Sequence, residues 1–296
     1  MLKDIIKINH GTLDPDELKQ VSNLLNLVFP KQNYINYDYL NWLYKKNPEG
    51  KAITYNAIYN GKIIAHYAVI PVTYILFNEK VRGCLSLNTA VIDKYNRMGI
   101  FTKLANKTYK TAFDLGYEYI FAIANAASTP GFLKKLNFQF VGALDVYFKH
   151  KFNLSYNLNK YVSTSYKEFH FYNHWDSKKF YWRVTKPNAK YKYHNSDSYK
   201  LYNPTNLYGL DVCLFEFIDD IDMSKILKEL NLPKVRNLFP IYMWIGLNGN
   251  NKNRLLNLPK YFKPSPLNLV FKDLTKRNRV LDSDKVKISV LDFDAY

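Results

Sequence analysis

The chain has 296 residues, 47 % of them hydrophobic, which allows one large or two ordinary domains with a substantial core and excludes a disordered protein. Its formal net charge of +17 comes from scattered lysines, with few arginines, the residue suited to bidentate phosphate and base contacts. Asn, Tyr and Ile are abundant too, a joint bias that AT-rich coding produces on its own, so the charge fits an anionic small substrate or plain solubility and nucleic-acid binding is not expected.

Residues 1–10 read as a first strand. Asp14-Pro15-Asp16-Glu17 is a helix start, with proline near the first turn and acidic residues on the positive end of the dipole. Leu18, Val21, Leu24, Leu25 and Val28 carry a helical stripe to Phe29-Pro30. A second helix covers Tyr37 to Lys46 and stops before the turn residues Asn47-Pro48-Glu49-Gly50. Ala52 to Tyr59 and Ile63 to Val72 flank an Asn60-Gly61 hairpin turn, and Tyr74 to Phe77 and Val81 to Val91 continue the sheet. From Ile100, the positions Phe101, Leu104, Ala105, Thr108, Tyr109, Ala112 and Leu115 keep helical spacing up to a capping Gly116. A strand over Tyr117 to Ala124, a short helix through Phe132 to Leu136 and a strand from Gln139 to Phe148 close this unit.

After His150 the chain is tyrosine-rich and less regular, yet it echoes itself. Phe180-Tyr181-Trp182-Arg183-Val184-Thr185-Lys186-Pro187 parallels Tyr39-Leu40-Asn41-Trp42-Leu43-Tyr44-Lys45-Lys46-Asn47-Pro48. Leu207 to Phe217, a helix from Met223 to Leu230 and Phe239 to Leu247 then repeat a strand–helix–strand order. Two related α/β units, 1–150 and 151–296, are expected in tandem. Trp42 and Trp182, in corresponding stretches, are expected to be packing anchors.

Cys84 and Cys213 both lie in apolar runs, which implies buried thiols in a reducing, cytoplasmic setting. No Cys/His spacing supports a metal site. The N-terminal residues MLKDIIKINHG lack a signal-peptide pattern, and no run reaches about eighteen apolar residues, so no membrane span is expected.

The segment carrying chemistry is VIDKYNRMGIFTKLANKTYKTAFDLG, residues 91–116. A strand, a basic turn containing Gly99 and a helix beginning at Ile100 present free N–H groups and a helix dipole to an anion, and Gly99 lets the backbone approach it closely. Asn96, Arg97, Met98, Gly99, Ile100, Phe101 and Thr102 resemble motif A of the GNAT superfamily of acyl-CoA N-acyltransferases, strand–Gln/Arg-x-x-Gly-x-Gly/Ala–helix. Asn96 stands for the leading Gln/Arg and Phe101 for the small residue. Further on, Asn125 through Phe138 resembles the later motif of that family, Asn followed by a short helix ending Tyr-x-Lys-x-Gly-Phe. The resemblance covers the first half of the chain well and the second faintly, with Arg254 to Pro264 similar to a last helix and strand entry. The segments Pro266 to Phe271 and Leu291 to Tyr296 are similar to acyltransferases associated with bacterial surface-polysaccharide enzymes.

The resemblance implies a mixed, mostly antiparallel twisted sheet flanked by helices, in two copies of which the second is degenerate. It implies acetyl-CoA or another acyl-CoA as cosubstrate, its pyrophosphate held by the amides of Val91 and Asn96 to Thr102, and a small-molecule amine acceptor, an amino sugar that is nucleotide-linked in one version. A homodimer is entertained as the assembly.

Such a reaction needs a base for the amine, a donor for the oxyanion and an acid for the leaving thiolate. His66, polar within a strand and of suitable intrinsic pKa, is the candidate base. Asn88 and Asn125 are candidates for binding substrate or orienting water, and Tyr67, Asp93 and Tyr95 are lesser ones. Asp219-Asp220 reads as a solvated turn. Leu133 occupies the place of the family's acidic Tyr, so that acid is missing and another Tyr serves or the thiolate leaves unassisted. Two other readings remain: an aminoacyl-tRNA-dependent peptidoglycan-type transferase, and a non-catalytic ligand-binding module.

Overall fold

A computed structural model describes residues 5–30, 35–150, 168–187, 189–195, 199–207, 210–218, 241–248, 256–257 and 266–293. The expected helices at 223–230 and 254–264 and the Asp219-Asp220 pair fall outside the described residues.

After β1 (Lys7–His10) the chain enters α1 (Pro15–Val28), where the Asp14 carboxylate accepts hydrogen bonds from the N–H groups of Asp16 and Glu17. α2 (Tyr37–Lys45) starts in the same way, its cap Asn36 accepting from Tyr39 N. Then come β2 (Ile53–Tyr59), β3 (Lys62–Leu76), β4 (Glu79–Val91), α3 (Ile100–Asp114), β5 (Tyr119–Ala124), α4 (Thr129–Leu136), β6 (Gln139–Ala143) and β7 (Asp145–His150). The separate strand expected at 74–77 is the far end of β3, which runs without a break for 15 residues.

β1 to β4 pair in sequence, each antiparallel to the next, and β4 pairs parallel with β5. Side chains alternate across this sheet. Ala68 and Ile70 of β3 join Leu18, Leu25, Leu40 and Leu43 of α1 and α2 on one face. Tyr67 and Val69 join Leu104, Tyr109, Phe132 and Leu136 of α3 and α4 on the other. The result is a mixed sheet flanked by helices.

The rest of the described chain supplies β8 (Phe171–Asn173), α5 (Ser177–Val184), β9 (Lys192–Asn195), β10 (Tyr199–Leu207), β11 (Leu210–Ile218), β12 (Ile241–Leu247), β13 (Leu256–Asn257), β14 (Asn268–Asp273) and β15 (Val286–Ser289). β9, β10 and β11 pair antiparallel in order, and β11 pairs parallel with β12.

Two strands trade places between the halves. The single strand expected over 139–148 is two, because the chain turns at Leu144, whose N–H bonds Leu267 O at 2.7 Å. β6 stays with the first sheet. β7 leaves it and lies between β12 and β13. In return β14, from near the C-terminal end, fills the gap between β5 and β6. A boundary at residue 150 is therefore crossed by the sheet itself.

A second reciprocal contact joins α2 to α5. Trp42 Nε1 donates to Trp182 O at 2.9 Å and Trp182 Nε1 donates to Trp42 O at 3.2 Å, with the rings stacked 4.6 Å apart.

Candidate active site

β4 and β5 are paired over three rungs only, ending at Ser86–Ala122. Beyond that rung β4 continues to Val91 and β5 to Ala124, and no described strand enters between them. The parting coincides with a bulge: the β3–β4 register shifts between His66 and Ala68, and Asn88 takes a left-handed φ of 49°. Backbone N–H and C=O groups on the inner edge of β4 are thereby left for a ligand.

β4 leads into the basic turn and α3. Gly99 caps the helix at φ 76°, and Arg97 is also left-handed at φ 67°. The nearest engaged amides are Asn96 N, bonded to Asp93 O, and Lys103 N, bonded to Gly99 O. The six N–H groups of Arg97, Met98, Gly99, Ile100, Phe101 and Thr102 make no hydrogen bond to described residues. A Cβ on Gly99 would meet no atom within 4 Å, so the turn opens outward. The side chains contribute less. Ile100 is buried, Phe101 packs against Tyr67 and Phe132, and Asn96 Nδ2 bonds Asp93 Oδ1 at 3.2 Å. Val91, Met98 and Thr102 are half-buried, and Arg97 is exposed. The anion-binding capacity of this turn resides in its main chain.

His66 has no exposed surface and faces α2 rather than the gap. Its Nδ1 bonds Asn56 Oδ1 at 2.6 Å and its Nε2 bonds the Tyr44 hydroxyl at 3.0 Å. Burial pushes its pKa down to about 3, so the ring is neutral at neutral pH. Direct contact between His66 and an amine is closed in this structure. Asn88 is half-buried beside the parting and donates from Nδ2 to the same Tyr44 hydroxyl at 3.0 Å. Asn125 is exposed at the end of β5, where its Oδ1 accepts from Ser128 N at 2.9 Å and caps the α4 turn.

The lesser candidates separate. Tyr67 is fully buried, bonded to Ser86 Oγ at 2.7 Å and to the Tyr109 hydroxyl. Burial pushes its pKa up to about 12 against the opposing hydrogen bonds. Asp93 is exposed, and Tyr95 is buried against Tyr59. Leu133, at the position of the missing acid, packs half-buried on the α3–α4 core. Among the described residues no cluster of three or more His, Cys, Asp or Glu is placed to hold a metal ion, and no helix is long and apolar enough to cross a membrane.

Sequence reasoning missed Tyr44 and Asn56. Tyr44 looks like one more apolar position on the inner stripe of α2. Asn56 offers a faint signal, a polar residue at an inward position of a strand.

Comparison with known proteins agrees with this geometry. Residues 11–141 match the sequence model of the acetyltransferase (GNAT) domain. No curated protein sequence matches the chain. Among solved structures, a GCN5-related N-acetyltransferase from Anabaena variabilis superposes with a TM-score of 0.60 at 8 % identity, over 91 % of this chain and 73 % of that one. Eis1 from Mycobacterium abscessus gives 0.55 at 11 % identity over 89 % of this chain and 73 % of its own. A probable N-acyltransferase from Enterococcus faecalis gives 0.55 at 7 % over 90 % and 73 %. At these identities the likeness is one of fold, and it extends well beyond the matched domain. Residues 11–141 thus form a GNAT acetyltransferase domain, and the protein is an enzyme of the N-acyltransferase type. GNAT domains use acyl-CoA as cosubstrate.

Proposed function

We propose that the protein transfers an acyl group, acetyl in the simplest case, from acyl-CoA to the amine of an amino sugar. The carrying observation is the run of six amides from Arg97 to Thr102, without a partner among the described residues, beside two parted parallel strands. Their dipoles suit the pyrophosphate, and the gap between β4 and β5 suits an extended arm ending in a thioester. Asn88 lies at the mouth of that gap and is assigned to the acceptor amine. Asn125, at the end of β5, is assigned to its far side. The amino-sugar acceptor is supported by the similarity of the segments 266–271 and 291–296 to polysaccharide-associated acyltransferases, and by a positive charge that suits a nucleotide-linked form.

The chain is read as two copies of one unit in tandem, the second degenerate. The support is reciprocity: β7 and β14 are exchanged, and Trp42 and Trp182 cap each other. The second copy is assigned to shaping the acceptor cleft.

Titration calorimetry with acetyl-CoA tests the carrying observation, with binding expected at sub-millimolar concentration; absence of heat removes the proposal. A mass-spectrometric screen of amino sugars and their nucleotides with acetyl-CoA tests the acceptor. A mass increase of one acetyl group is the expected product, and binding without turnover would favour a non-catalytic module.

A further inference from the structure

Asn56, His66, Tyr44 and Asn88 are joined by a chain of hydrogen bonds, from the sheet interior to the parting of β4 and β5. Its directions follow from one assignment, the Asn56 amide oxygen turned toward the ring. Asn56 Oδ1 can only accept, so His66 Nδ1 carries the ring proton. In the neutral ring Nε2 is then a bare acceptor, and the Tyr44 hydroxyl donates to it. With its proton so placed, Tyr44 oxygen offers a lone pair, which takes Asn88 Nδ2–H. The Asn88 amide is thereby fixed through its Nδ2, and its Oδ1, which makes no hydrogen bond to described residues, is left to accept from a ligand. The left-handed φ of Asn88 holds this side chain out of the regular alternation and toward α2.

We propose that His66 and Tyr44 are positioning residues, which orient the Asn88 amide so that its Oδ1 accepts one N–H of the acceptor amine and aims the nitrogen lone pair at the thioester carbonyl. This rests on the acyl-transfer reading above. The C–N bond forms as the C–S bond breaks, the thiolate departs with its electron pair, and the surplus amine proton passes to solvent water. His66 takes no proton at any point. Its burial and depressed basicity agree with that role and oppose the role of general base.

The test has two arms. In the first, the protein is labelled with 15N-histidine and followed by NMR from about pH 5 to 8, with the His66 signals assigned by their loss in His66→Gln. A neutral ring protonated at Nδ1 across the whole range is expected. Protonation at Nε2 would reverse every link and aim the Asn88 NH2 outward, and titration near the ordinary histidine value would restore a base; either overturns the proposal. This arm needs no turnover, so it decides even if acyl transfer itself fails.

In the second arm, kcat/KM is measured with acetyl-CoA and glucosamine as probes, and acetyl-CoA affinity by calorimetry confirms folding. Gln can accept from Tyr44 through its amide oxygen but cannot serve as a base. His66→Leu, Tyr44→Phe and Asn88→Ala are expected to lose about thirtyfold or more. His66→Gln is expected to recover about tenfold of that loss with an unaltered pH profile. Equal losses in Gln and Leu, together with disappearance of an acid limb from the profile, would overturn it.

Discussion

Two parallel strand pairs in this protein part in the same manner and meet opposite fates. β4 and β5 separate after Ser86–Ala122, and no described strand follows them in. β11 and β12 are paired at Cys213–Tyr242 and Leu214–Met243, and then β15 enters, pairing Ser289 and Ile288 with Gly246 and Leu247. The approach there is close: a Cβ on Gly246 would stand 2.2 Å from Ile288 O, so only glycine fits. A parted pair leaves backbone polar groups without partners, and these must be satisfied by something. One gap is satisfied by the protein's own strand, the other stays open to a ligand. On the proposed reading of two related units, the open gap is assigned to the cosubstrate and the filled one to framework.

The joint between the halves is where the comparison breaks most violently. Trp42→Ala removes a stacked ring and one of two reciprocal hydrogen bonds, and is expected to cost about 3–5 kcal/mol in chemical denaturation. Trp182→Ala should cost a similar amount, and the double variant less than the sum, because each single change already removes the shared contact.

Acid should act next, and on the open side. His66 has a folded pKa near 3 against an ordinary 6.5, so below pH 6.5 the unfolded chain binds a proton that the folded one refuses. Stability is expected to fall by roughly 3–5 kcal/mol as the pH drops from about 6.5 towards 3. His66→Gln should flatten that decline in a pH series of denaturation curves, and an unchanged slope would assign it to other groups.

The filled gap is probed by Gly246→Val. The added methyl groups collide with the β15 backbone, at a cost of about 1–3 kcal/mol, and hydrogen exchange at Ile288 and Ser289 should quicken while exchange in β4 and β5 does not change.

The smallest structural effect belongs to Gly99→Val. No atom stands in the way, so the penalty is only that of a left-handed β-branched residue, about 1–2 kcal/mol. Its effect on acetyl-CoA is larger, an affinity weaker by about tenfold or more, because the amide cup depends on that backbone conformation. Unaltered affinity would move the anion site elsewhere.

Much of the first unit was legible without coordinates. The α1 stripe from Leu18 to Val28, the Asn60-Gly61 hairpin and the turn at Gly99 are set by short-range periodicity and turn chemistry, and each is found where the residues place it. The exchange of β7 for β14 was not legible, since a strand's own sequence says that it wants a half-buried place but not beside which partner. The same limit applied to His66. Residue type and pKa recommended it as a base, whereas Tyr44, Asn56 and the burial that removes it from the gap are supplied from other elements.

By itself the sequence determined the local elements, the apolar faces and the glycine turn with its helix start, because these depend on interactions spanning a few residues. The tertiary structure alone decided which strands exchange, which of the two gaps is filled, and which side chains meet Asn88. Those outcomes depend on contacts between residues far apart in the chain, and a single sequence carries no local trace of them.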